Sequence, residues 1–125
     1  SHIVRVDPET LEVDPPVAVS GEIDHISVGA GAVWLLDESA GVVTRYDPVD
    51  EGFGAPIRVG LEPTDLTTGL DAVWAANGEE GMISKINPAT GFVVQTIEIG
   101  APVAAITVDA STGSVWIVTA ELSFG

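Results

Sequence analysis

The chain has 125 residues, of which 46% are hydrophobic and none is cysteine, and 19 acidic against 4 basic side chains leave a formal net charge of −15. That length is one domain or a piece of one, and no apolar run nears the roughly 20 residues that a membrane-crossing helix needs. So large a negative charge opposes binding to a nucleic-acid backbone or an anionic membrane, and without thiols there are no disulfides or thiolate metal sites.

Strand signals alternate with turn signals along the chain, and no segment carries a helical apolar period. Ser1 and His2 read as a tag remnant and are set outside the fold. Residues 3–6 form the first strand, which Asp7-Pro8 turns, because Asp before Pro favours turn initiation and Pro cannot continue a ladder. Residues 16–20 form a second strand, and a connection over 21–24 leads to strands at 25–28 and 32–36 around a Gly29-Ala30-Gly31 turn. A polar loop over 37–41 then opens onto a strand at 42–46, where the cycle restarts. Further on, Asn77-Gly78 marks a turn, and Asn87-Pro88-Ala89-Thr90-Gly91 marks a hairpin with Gly91 suited to a left-handed position. The expectation is four short strands per period, twelve in all, joined by short loops.

The period is visible in particular residues. Asp7-Pro8, Asp47-Pro48 and Asn87-Pro88 stand 40 apart, as do Val33-Trp34 and Val73-Trp74. Val115-Trp116 follows 42 later, the two extra residues falling in the turn around Gly113. Ile26, Leu66 and Ile106 keep the same step. Four antiparallel strands in about 40–45 residues, repeated, describe the blade of a β-propeller. One blade cannot bury both faces alone, so neighbours stack around an axis. A β-sandwich or a solenoid does not explain why the period returns on the same landmarks.

The phrases Val43-Thr44-Arg45-Tyr46-Asp47-Pro48, Val59-Gly60 and Val73-Trp74-Ala75, with residues 87–94 in the third copy, resemble bacterial propeller repeats of the YVTN, NHL-like and streptogramin-lyase-like group. The resemblance covers nearly the whole chain. It implies an all-β propeller and a bacterial protein, with a secreted or extracellular domain as the expected setting. The group includes lyases, sensor domains and binding scaffolds. It further implies that the strand before each Trp strand is innermost, so that residues 25–28, 65–68 and 105–108 line a central channel. On that phasing residues 3–20 supply two strands of a shared blade, 21–60 and 61–100 a blade each, and 101–125 the two strands that complete a shared blade. Pairing the open edges between two chains closes a six-bladed homodimer; the rival reading is a piece of a longer propeller.

Candidate chemistry is sparse. Trp34, Trp74 and Trp116 share one repeat position, which blade packing explains for all three. Arg5, Arg45 and Lys85 also share a position, and a repeated ion pair or hydrogen bond between blades is expected of them. One end of the blades should gather Glu22, Asp24, His25, Asp37, Glu38, Glu62, Asp65, Asn77, Glu79 and Glu80, an acidic rim able to meet a protein or small ligand. No metal or other cofactor is expected, although carboxylates so placed would suit a divalent cation such as calcium. Streptogramin lyases of the resembled group use histidines, an acidic residue and magnesium, but no His-x-His pair is present here. With no nucleophile, phosphate loop or zinc pattern, the expected function is a non-catalytic binding or scaffold module, with a cation-dependent lyase using His25 as base as the alternative.

Overall fold

The computed structural model describes residues 1–119, which form thirteen β-strands and no helix. At the start, β1 (His2–Ile3) pairs with β2 (Val17–Ala18). Next come β3 (His25–Gly29), β4 (Ala32–Asp37) and β5 (Val42–Asp47), with two short strands, β6 (Gly52–Phe53) and β7 (Ile57–Arg58), both on the outer edge of β5. A second full sheet runs in chain order through β8 (Pro63–Gly69), β9 (Ala72–Asn77), β10 (Met82–Asn87) and β11 (Phe92–Glu98). The last sheet is β12 (Val103–Asp109) paired with β13 (Ser114–Thr119). Every pairing is antiparallel between strands close in sequence, so each sheet is a meander. Residues 101–119 of the expected final half-blade are therefore described, and the rest of it lies outside the described residues.

Thirteen strands replace the expected twelve because the outermost strand of the first full sheet is broken. Gly54-Ala55-Pro56 interrupts it, and Pro56 has no N–H to offer β5. In the second sheet Gln95-Thr96 stands at the corresponding place, and β11 runs unbroken. At the N-terminus the paired strand is shorter than the expected 3–6, and only an isolated bridge, Val6 to Val13, continues it. Ser1 and His2 are not outside the fold. His2 pairs with Ala18, the Ser1 amine donates to the Val19 and Gly21 carbonyls, and the Ser1 hydroxyl accepts from the Ile23 amide at 3.0 Å.

The Asp-Pro landmarks have a local cause. Asp47 Oδ1 accepts the amides of Val49 and Asp50, Asp7 Oδ1 those of Glu9 and Thr10, and Asn87 Oδ1 those of Ala89 and Thr90. The side chain closes the turn while Pro presets its backbone.

Burial follows sheet stacking. β9 is buried along its entire length because both its faces are covered, which is why it reads Ala-Val-Trp-Ala-Ala-Asn with no polar alternation. Trp34, Leu36 and Val43 of the first full sheet meet Leu66, Val73, Ala75 and Ile86 of the second. Trp74, Ala76 and Ile83 of the second meet Val103, Ile106, Val115 and Ile117 of the last pair. Leu35 and Tyr46 cover Val17 and Val19 of the first pair. One strand face thus points to the preceding sheet and the other to the following one, repeat after repeat. The strands before the Trp strands, β3, β8 and β12, lie side by side along the inner edge of the stack.

Candidate functional site

The inner strands bring His25 between two carboxylates from different sheets. Its Nε2 lies 3.2 Å from Glu38 Oε1, beyond the end of β4, and its Nδ1 lies 3.6 Å from Asp65 Oδ1 on β8. Both carboxylates have fixed supports. Asp24 Oδ2 accepts the Glu38 amide at 2.8 Å, while Asp65 accepts the amides of Leu66 and, across to β12, Ile106. All three side chains keep partial exposure, between 21% and 39%. The cluster is therefore a held, solvent-reachable hydrogen-bonding group at one end of the inner strands. His25, Asp65 and Ala105 occupy one repeat position, so the third copy offers no side-chain polar group there.

The antiparallel register places Glu22, Asp24, Asp37, Glu38, Glu62, Asn77, Glu79 and Glu80 at this same end, since His25 opposes Leu36 and Pro63 opposes Asn77. Their roles differ. Glu22, Glu62 and Glu79 are exposed on the rim. Glu80 Oε1 accepts the Leu61 amide and ties two repeats together. Asp37 is buried, and its Oδ1 accepts the Ser39 hydroxyl and the Ala40 amide. The Ala40 amide above all holds its carboxyl below the usual carboxylate value, with burial acting against it. Asn77 is buried too; it donates to Ser84 Oγ, which donates to the Val59 carbonyl of the preceding sheet. Asp37 and Asn77 thus differ from the exposed rim residues in being buried and hydrogen-bonded within the stack.

The two repeated sets resolve differently. Trp34 and Trp74 are buried, and each donates its indole N–H to a glycine carbonyl, Gly29 or Gly69, at the end of the inner strand. Trp116, at the same repeat position, is 63% exposed. Among the described residues the basic side chains make no ion pair between sheets, where the expectation was a contact between blades. Arg5 pairs with Asp14 in its own two-stranded unit, Arg45 approaches Asp47 in its own turn at 4.0 Å, and the Lys85 amine lies 5.4 Å from the Trp74 ring centroid. The register explains the last contact: Trp74 stands directly opposite Lys85, as Trp34 stands opposite Arg45.

Among the described residues no three His, Asp or Glu side chains are arranged to hold a metal ion. A shallow depression of about 310 Å³, lined by Val28–Ala30 and residues 68–72, lies at the opposite end of β3 and β8. Sequence reasoning missed the Ser27 to Thr68 hydroxyl pair at 2.9 Å and the Ser84 bridge, which no spacing announces.

No family model matches the sequence, and no curated protein matches it. Solved structures do. A streptogramin B lyase structure superimposes with a TM-score of 0.77 at 19% identity, over 94% of this chain and 41% of that one. A catalytically inactive virginiamycin B lyase from Staphylococcus aureus, solved with quinupristin, gives 0.75 at 18% identity over 94% and 42%. The WD40 β-propeller domain of Doa1 gives 0.69 at 12% identity over 87% and 38%. The chain is thus an all-β propeller segment of four-stranded antiparallel blades. It spans less than half the length of these structures.

Proposed function

We propose that the chain is a non-catalytic propeller module, of the bacterial YVTN and NHL-like kind, that binds a cationic ligand at the acidic inner-strand end. The ligand class is a small amine or a basic segment of a partner protein in an extracellular setting. The observation that supports this reading is the His25, Glu38 and Asp65 cluster, which spans two blades and stays open to solvent within a chain of charge −15. Pre-positioned carboxylates on a rigid framework favour a cation without reorganisation. The module closes into a ring of six blades by sharing its two half-blades with a second copy, since three blade-equivalents doubled fall within the usual 4–8 blades. A lyase reading rests on His25 as base beside Glu38, and it needs a divalent cation that the described residues do not visibly seat.

Titration with a trilysine peptide and with spermidine, followed by calorimetry, tests the binding reading. Binding should weaken steeply with salt and drop at least about tenfold in Glu38→Gln and Asp65→Asn. Binding indifferent to both substitutions would refute it. Turnover of a streptogramin B substrate, lost in His25→Ala, would favour the lyase.

A further inference from the structure

Among the described residues the third Trp, Trp116, and the first basic residue of the repeat, Arg5, each lack the neighbour that the other copies have. Inside the chain, β4 pairs with β5 so that Trp34, Leu35, Leu36 and Asp37 oppose Arg45, Thr44, Val43 and Val42. One repeat later, Trp74, Ala75, Ala76 and Asn77 oppose Lys85, Ser84, Ile83 and Met82. β13 is the next Trp strand, yet among the described residues it pairs only with β12. β1 begins the basic strand of another repeat, yet among them it pairs only with β2. The faces match the edges. On the side that meets the following blade, Trp116 and Val118 are 63% and 58% exposed. On the side that meets the preceding blade, Ile26 and Val28 are 57% and 71% exposed. Trp34 packs among Leu66 and Val73, and Trp74 among Ile106 and Val115. The same repeat positions one copy earlier are Ile26 and Val33.

We propose that β13 of one copy adds to β1 of a second copy in the register Trp116 to Arg5, Ile117 to Val4, Val118 to Ile3 and Thr119 to His2, seating Trp116 against the second copy's Ile26 and Val33. This deepens, and rests on, the shared-blade ring proposed above. The occupant is a second copy because one chain carries both the exposed knob and its seat, exposed at Ile26 and half-buried at Val33, and, among the described residues, both the open Trp edge and the open basic edge. Reciprocal addition makes two such joints related by a twofold axis, which closes the ring and leaves neither β13 nor β1 with an unpaired edge. Arg5 then faces an indole, as Lys85 does within the chain, and one mouth of the ring carries both His25 clusters, one from each copy.

The chain has no cysteine, so paired replacements report cleanly. Two single variants, Val4→Cys and Ile117→Cys, are purified separately, mixed and oxidised, with Val6→Cys plus Ile117→Cys as a shifted-register control. Directly opposed strand positions fall within the Cα separation a disulfide accepts, about 4.4–6.8 Å. The expected result is a linked species of twice 12.9 kDa in the first mixture and not in the control or in either variant alone. No link, or an equal link in the control, overturns the register. Light scattering on the unaltered chain separates the two levels: a dimer without the link leaves the ring reading standing and removes this joint. A monomer removes both, whether its edges are filled by further repeats of a longer chain or by closure on itself in a Val4→Cys/Ile117→Cys double variant.

Discussion

At the scale of single residues, the repeat uses an acidic side chain as a turn clamp. Asp7, Asp37, Asp47 and Asp109 all have carboxyls held below the model-peptide value of 3.8. Backbone amides are the main cause for the first three, and the Ser111 hydroxyl for Asp109. A group depressed by folding contributes stability that is present above its unfolded value and lost as pH falls through its folded one. Unfolding should therefore set in below about pH 4, followed by Trp fluorescence. Asn87 makes the same turn with no titratable group, so Asp47→Asn should leave neutral-pH stability nearly unchanged and make the acid limb shallower. An unchanged acid limb would show that the clamp does not govern it. Asp37→Ala should cost more, about 1–2 kcal/mol in urea denaturation, because the buried carboxylate is the charged acceptor of two part-buried hydrogen bonds, from the Ser39 hydroxyl and the Ala40 amide. These clamps were legible in the sequence as Asp-Pro and Asn-Pro landmarks. The inward turn of Asp37 and Asn77 was not, because the sequence marks the end of a strand without showing which groups the next blade covers.

Among the elements, the inner strands are the most constrained. A side-chain carbon added at Gly29 would lie 2.7 Å from Thr68 Oγ1, and one added at Gly69 would lie 2.6 Å from Val108 Cγ1. Side chains of the next inner strand pack directly on the glycine backbone there, and Thr68 donates to the Val28 carbonyl. Gly29→Ala should cost about 1–3 kcal/mol by overpacking. Stability equal to the parent would mean that the strands part easily. The Trp strands give a sharper contrast. Trp34→Ala empties a covered interface and should cost about 3–5 kcal/mol, whereas Trp116→Ala should leave the thermal stability of an isolated chain nearly unchanged and weaken association instead. The sequence showed these as three equal positions, because periodicity reports the repeat and not which copies have a neighbour. It also showed Arg5, Arg45 and Lys85 in register, but the feature that Arg45 and Lys85 share is the cross-strand place opposite a Trp. That relation spans about 11 residues and depends on hairpin register, so spacing alone pointed to the wrong partners. The broken outer strand was foreseeable at Pro56, whose missing N–H forbids a full ladder.

For the whole molecule, stacking explains why the fold was readable and the site only partly so. A repeat that buries both faces of its central strands imposes the same residues every 40 positions, and the propeller class follows from them. The acidic end is where the copies differ: His25 gives way to Asp65 and then to Ala105. Sequence marked His25 and Asp65 as candidates, but only the lateral placement of β3 and β8 sets them 3.6 Å apart. Ligand binding at that end would be felt by two blades at once, and by both copies if the ring closes through shared blades. Ring closure is the claim on which the site's final form depends, and solution mass tests it most directly. Size-exclusion chromatography with light scattering on the unaltered chain should give twice 12.9 kDa across a hundredfold dilution from about 100 μM. A constant mass of 12.9 kDa over that range would contradict the shared-blade account.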